Sequence, residues 1–229
     1  MDQLQVLLDR NTSWAQRKVA DDPQFFRRLV GQQNPEYLWI GCADSRVPAN
    51  EIVDLPPGEL FVHRNVANVV SLHDNNCQSV IEFAVKALQV KHIMVVGHYG
   101  CSGVRCALEN HSVGPCSDTW LEQVKDVRRR HAALIEAEPD DNRRHTLLCE
   151  LNVLEQTFNV CCSPAVVEAW RSGQELSVHG WIYRLSDGCV RHLDFSIGGE
   201  EGLERLRDAA LDGIQAIRAQ YYAQRHPRP

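Results

Sequence analysis

Two short stretches of the 229-residue sequence hold side chains able to act together in chemistry, Cys42-Ala43-Asp44-Ser45-Arg46 and His98-Tyr99-Gly100-Cys101. Each directly follows an apolar run of strand length, Tyr37 to Gly41 and His92 to Gly97. Continuous apolar runs of this kind are the pattern of parallel strands covered on both faces. Residues just past the carboxyl ends of such strands gather in one crevice of an open α/β sheet, where ligands usually bind. Cys42, His98 and Cys101 then meet as two thiols and an imidazole. That is a donor set for a catalytic zinc ion, which takes three protein ligands and keeps its fourth position for water or substrate. The chemistry implied is attack by metal-activated water.

Asp44 and Arg46 stand at alternate positions of the turn after Cys42, so both can point toward the same metal. A guanidinium keeps a neighbouring carboxylate ionised and grips it with two parallel hydrogen bonds. An Asp held in this way can accept a proton from activated water. Two other roles stay open at this point: an ordinary loop ion pair, and Asp44 itself as the fourth zinc ligand.

The elements that must position these groups follow from the same patterning. A third apolar run, Leu60 to His63, supplies another parallel strand, and the apolar residues between Asn75 and Gln89 predict a mostly buried crossover helix. Helices are expected over residues 117–138, 142–159 and 164–171, broken at Pro139 and at Ser163-Pro164. Leu176 to Leu185 and Cys189 to Phe195, separated by Ser186-Asp187-Gly188, form a hairpin at the sheet edge. A closing helix is expected from Glu200 to Gln224, then a frayed tail. Ahead of the sheet, Leu4 to Ala20 reads as a helix interrupted at Asn11-Thr12-Ser13, and Pro23 opens a second short helix. The expected class is α/β: a mostly parallel central sheet flanked by helices, with an N-terminal helical arm and a C-terminal edge hairpin and helix. No linker cuts the chain, so residues 1–229 are expected to be one domain, with 1–34 as arm, 35–199 as sheet core and 200–229 as helix and tail.

Composition narrows the partners. Apolar residues make up 44% and charged residues 24%, enough for a sizeable core. The net charge of −6 argues against a nucleic-acid partner, which leaves a basic footprint. No run is long enough to span a membrane and the start lacks the features of a signal peptide. Nine cysteines, an odd number, fit a reducing cytoplasm better than a disulfide framework.

C-x-D-x-R followed by H-x-x-C, embedded as GCADSRVPANEIVDLPPGELFVHRNVAN and VVGHYGCSGV, resembles the β-class carbonic anhydrases, and the resemblance continues through CELNVLEQ and VHGWIYRLSDG. It implies that Cys42, His98 and Cys101 bind one Zn2+ per chain. Asp44 and Arg46 would be the catalytic dyad of the reversible hydration of carbon dioxide to bicarbonate and a proton, through hydroxide on the zinc. Many members read H-x-x-C-G-G where this chain has Cys101-Ser102-Gly103, and Ser takes ordinary helical angles. The chain is also similar to a bicarbonate-regulated bacterial subgroup in carrying Trp39, Arg64 and Tyr183. There the matching residues hold bicarbonate away from the zinc while the matching Asp swings onto the metal, and Gly41, Val47 and Pro48 would flank the moving loop. Plain core packing of Trp39 and Tyr183 is the alternative. The resemblance further implies a dimer or tetramer, its arm wrapped around a second subunit. Two competing functions remain: hydrolysis of carbon disulfide or carbonyl sulfide on the same scaffold, and an interaction module with a structural zinc.

Overall fold

Leu38, Trp39 and Ile40 are completely shielded from solvent, as are Ile93, Val95 and Val96, which is why both runs sit in the middle of the sheet. The computed structural model describes residues 3–31 and 33–225. Its five strands are β1 (Tyr37–Cys42), β2 (Leu60–Asn65), β3 (His92–His98), β4 (Ser177–Arg184) and β5 (Cys189–Ile197), in the order β2-β1-β3-β4-β5. The first four are mutually parallel and β5 is antiparallel to β4. The α/β class with a mostly parallel sheet and an edge hairpin is therefore observed. Because Gly41 pairs with Val96 and β3 runs on to His98, both candidate motifs leave the sheet at the same end.

The helices are α1 (Gln3–Asp21), α2 (Phe25–Val30), α3 (Ala49–Ile52), α4 (Asn75–Glu82), α5 (Ser102–Glu109), α6 (Pro115–Arg130), α7 (Ala132–Glu136), α8 (Asp141–Cys161), α9 (Pro164–Arg171) and α10 (Leu203–Arg225). Side chains alternate across β1, so Leu38, Ile40 and Cys42 join the main core under α8, while Trp39 packs with Val47, Ala49, Leu60, Met94 and Val96 on the opposite face. Burying each large aliphatic side chain contributes about 1.5–3 kcal/mol, so the apolar runs dominate the folding of this centre. Helix α8 is buried nearly all round, and its polar residues are bonded rather than stranded. Asn152 Nδ2 donates to the Ala67 carbonyl at 2.8 Å, and Gln156 Oε1 accepts from the Val70 N–H at 2.8 Å. These bonds pin the loop after β2, where Ala67 (φ 65°) and Asn68 (φ 47°) are left-handed.

Several expected boundaries move for physical reasons. No break occurs at Asn11-Thr12-Ser13: Thr12 Oγ1 donates to the Leu8 carbonyl and Ser13 Oγ to that of Asp9, so both hydroxyls are satisfied inside a continuous α1. The helix expected to open at Pro23 starts at Phe25. The crossover helix ends at Glu82 and continues as a wider π turn over Phe83–Ala87, closed by the Leu88 N–H on the Phe83 carbonyl. The helix expected over 117–138 begins at Pro115 and is two helices, parted at His131, whose Nε2 meets Glu155 of α8 at 2.8 Å. Helix α3 has no counterpart in the sequence reading. The expected tail, 226–229, lies outside the described residues.

On the arm, Trp14 packs edge-on against Phe26, yet Leu4, Leu7 and Leu8 are more than half exposed. Among the described residues no helix is long and apolar enough to cross a membrane.

Candidate metal centre

Strand β1 ends on Cys42, β3 ends on His98, and the turn between β3 and α5 delivers Cys101. That turn needs Gly100, whose φ of +75° is a conformation that side-chain-bearing residues rarely adopt. Ser102, the departure noted in the sequence, takes its place as the first residue of α5. The two sulfurs and a nitrogen of His98 all lie within 4.8 Å of one another, and all three residues are buried. Cys42 Sγ and Cys101 Sγ are 3.8 Å apart. Two thiolates bonded at ~2.3 Å to a tetrahedral zinc are separated by roughly that distance. His98 Nδ1 is 3.2 Å from the Tyr99 carbonyl, to which it donates, so the Nε2 lone pair faces the sulfurs. That Nε2 is buried with no hydrogen-bond partner, a costly state for a polar atom unless a ligand completes it. The residues present therefore fit a zinc ion.

Electrostatics favour the same use. The Cys101 thiol close by, the His98 ring and the N–H groups of Asp44 and Ala67 stabilise the Cys42 thiolate and lower its pKa to about 4. Cys101, beside that thiolate and deeply buried, is pushed up.

Asp44 turns toward Arg46. Its Oδ1 accepts from Arg46 Nε at 2.9 Å and from the Arg46 N–H at 2.9 Å, and its Oδ2 accepts from Arg46 Nη2 at 2.7 Å. The guanidinium holds the Asp44 carboxyl far below the ordinary carboxylate range. Asp44 Oδ2 is 3.7 Å from His98 Nε2, at the edge of the cluster. These groups open on a cleft of about 510 Å³ that Ala43, Val66 and Gly103 help to line.

Trp39 and Tyr183 share the opposite sheet face, with Val47 packed beside them. Trp39 is fully buried and its Nε1 has no partner. Gly41 leaves room for that ring, since a Cβ there would sit 2.3 Å from Nε1. Arg64, paired across the sheet with Gly41, donates through Nε to the Cys42 carbonyl at 2.8 Å and through Nη2 to the Asp44 carbonyl. Pro48 precedes α3 in extended conformation. The Ala67 N–H beside Cys42 had no sequence signal beyond its place after His63-Arg64-Asn65, because it depends on the left-handed loop that α8 pins.

The carbonic anhydrase family profile matches residues 37–190, two thirds of the chain. The chain belongs to the carbonic anhydrase family. It is 44% identical over 193 residues to a carbonic anhydrase of Emericella nidulans, covering 84% of each chain. It is 33% identical over 178 residues to one of Pseudomonas aeruginosa, covering 75% of this chain and 79% of that one. Among solved structures, the β-carbonic anhydrase of Coccomyxa in complex with acetazolamide superposes with a TM-score of 0.83 at 42% identity, over 88% of this chain and 90% of that one. A tetrameric β-carbonic anhydrase of Sordaria macrospora gives a TM-score of 0.82 at 39% identity, over 86% of this chain and all (100%) of the other. The β class named by these structures matches the fold class and motifs of this family member.

Proposed function

We propose that the chain catalyses the reversible hydration of carbon dioxide to bicarbonate and a proton, with Cys42, His98 and Cys101 holding one zinc ion per chain. The observation that carries this reading is the buried, unpartnered His98 Nε2 facing two sulfurs, beside an Asp44 committed to Arg46. Zinc bound there supplies water made acidic enough to act as a nucleophile near neutral pH. The chain's own residues do the rest. Asp44, ionised and fixed by Arg46, accepts a proton at Oδ2 on the side facing the cluster. Arg46 orients that carboxylate and also reaches the Gly100 carbonyl at 3.5 Å, tying the two motifs together. Ala43, Val66 and Gly103 offer an apolar wall suited to a small apolar substrate. A purely structural zinc would have no use for the dyad. Stopped-flow hydration of carbon dioxide is expected to be fast and to be lost on chelation and recovered with zinc. Turnover of carbonyl sulfide or carbon disulfide but not carbon dioxide would replace this reading with the hydrolase one.

The uncovered arm residues and the tetrameric Sordaria neighbour support self-association as a dimer or tetramer.

Bicarbonate regulation is supported by the orphaned Trp39 Nε1, a buried donor in need of an acceptor. Arg64 now grips the carbonyls of Cys42 and Asp44. An anion held by Trp39, Arg64 and Tyr183 would compete for that guanidinium and free the loop between Gly41 and Pro48, letting Asp44 leave Arg46 for the metal. The shift is limited by the anion's differential affinity for the two states. Raising pH favours the active state, so added bicarbonate is expected to move the rise of activity to higher pH. Trp39→Phe should remove most of that movement, and an undiminished shift in this variant would refute the pocket.

A further inference from the structure

Each candidate ligand has an outer partner. His98 has the Tyr99 carbonyl, and Cys42 has the N–H groups of Asp44 and Ala67. For Cys101 the partner comes from α8, an element remote in sequence and absent from both motifs. His145 is buried (4% exposed), and its Nε2 lies 3.0 Å from the Cys101 carbonyl. On the other side of the ring, Nδ1 lies 2.9 Å from Arg105 Nη2. A guanidinium has donors only, so Nδ1 must be the acceptor. The ring proton is therefore on Nε2 and is donated to Cys101. Arg105 is itself steadied by Glu109 at 3.1 Å, one turn along α5. The Cys101 carbonyl also receives the Arg105 N–H at 3.0 Å, so both of its lone pairs are used.

We propose that His145, locked by Arg105 as the Nε2–H tautomer, is a positioning residue that fixes the Cys101 backbone and so aims its sulfur at the metal. Cys101 is the cap residue of α5, with φ −65° and ψ 119°, and its side chain makes no capping bond. Its backbone orientation, with the Val104 N–H at the sulfur, sets where that sulfur points. The bond from the buried α8 sets that orientation against a rigid support. Outer partners of this kind orient the ligand, and their loss typically weakens metal binding.

This inference rests on the zinc reading above, and the test separates the two. Zinc-loaded full-length protein is mixed with a chromogenic chelator and the release rate is followed. Glutamine can place its amide nitrogen where Nε2 stands, whereas asparagine is too short to reach the Cys101 carbonyl and leucine has no donor. His145→Leu and His145→Asn are expected to release zinc on the order of 10–100-fold faster than the parent, and His145→Gln within about threefold of it. The asparagine variant keeps the comparison intact should the leucine variant fail to fold. Equal rates for parent and His145→Asn would overturn the proposal, as would a glutamine variant as fast as the asparagine one, which would reduce His145 to packing. A parent protein that binds no zinc would instead overturn the metal centre itself.

Discussion

Alanine in place of Cys42, His98 or Cys101 is expected to take the zinc content from one ion per chain to near zero and hydration of carbon dioxide to background. The size of the effect follows from the donor set. Zinc held by a full set of protein ligands is worth ~10–16 kcal/mol, so one ligand of three or four carries ~3–5 kcal/mol, or roughly 10²- to 10³-fold or more in affinity. Burial adds to it, because each variant leaves the remaining sulfur or nitrogen enclosed without its ion. Cys162→Ser is the control of choice, since that cysteine is exposed and outside the cluster, whereas Cys161 is fully buried and substitution there would disturb α8. Metal analysis of purified proteins checks the result. Normal zinc in any of the three alanine variants would remove that residue from the ligand set. Acidification should release zinc from the parent protein too, because the thiols bind metal only as thiolates, and the neighbouring Cys42 together with burial pushes the Cys101 thiol up.

The strands and the candidate ligands were legible for the same reason. A parallel strand buried on both faces must be apolar throughout, and the chemistry at its end announces itself as the first polar residues after the run. Cys42 and His98 stand at such ends, and the shared exit of β1 and β3 follows from parallel pairing. The hairpin was legible through Asp187-Gly188, where Gly188 takes φ +68°. What escaped depends on partners remote in sequence. The division at His131 coincides with a bond to Glu155, and the Ala67 N–H reaches Cys42 from a loop that Asn152 holds from α8; the local exception is α1, which accommodates the Thr12 and Ser13 hydroxyls on its own carbonyls. His145 gave no local signal either, since its tautomer and its target are set by the docking of α8 on α5. Arg64 was visible as a charged residue, but its grip on the Cys42 and Asp44 carbonyls follows from its register opposite Gly41. In the proposed regulation, that grip would couple the anion pocket to the dyad.

Asp44→Asn is expected to keep full zinc while lowering kcat/KM for hydration by on the order of 10²-fold or more, the usual contribution of a positioned proton acceptor. Zinc should stay because Asp44 spends both oxygens on Arg46 and is not among the three residues whose ligand atoms converge. The asparagine side chain keeps one oxygen for the Arg46 N–H but can no longer take a proton. The pH profile sharpens the test. Bonding to Arg46 lowers the Asp44 pKa, so in the folded protein the carboxylate is already ionised well below its unfolded value near ~3.9. A carboxyl with a depressed folded pKa stabilises the fold at pH above the unfolded value and loses that contribution only as pH falls through the folded one. Between pH 6 and 9, on the order of neutrality where hydration is assayed, Asp44 therefore does not titrate. The rise of activity with pH must come from the metal-activated water, and the Asp44→Asn profile should keep the parent's midpoint at reduced height when bicarbonate is absent. Unchanged rates would make Asp44 an ordinary loop residue. Loss of zinc from the variant would instead make the Asp44 carboxylate a zinc ligand, the arrangement the anion pocket is proposed to favour in the inactive state.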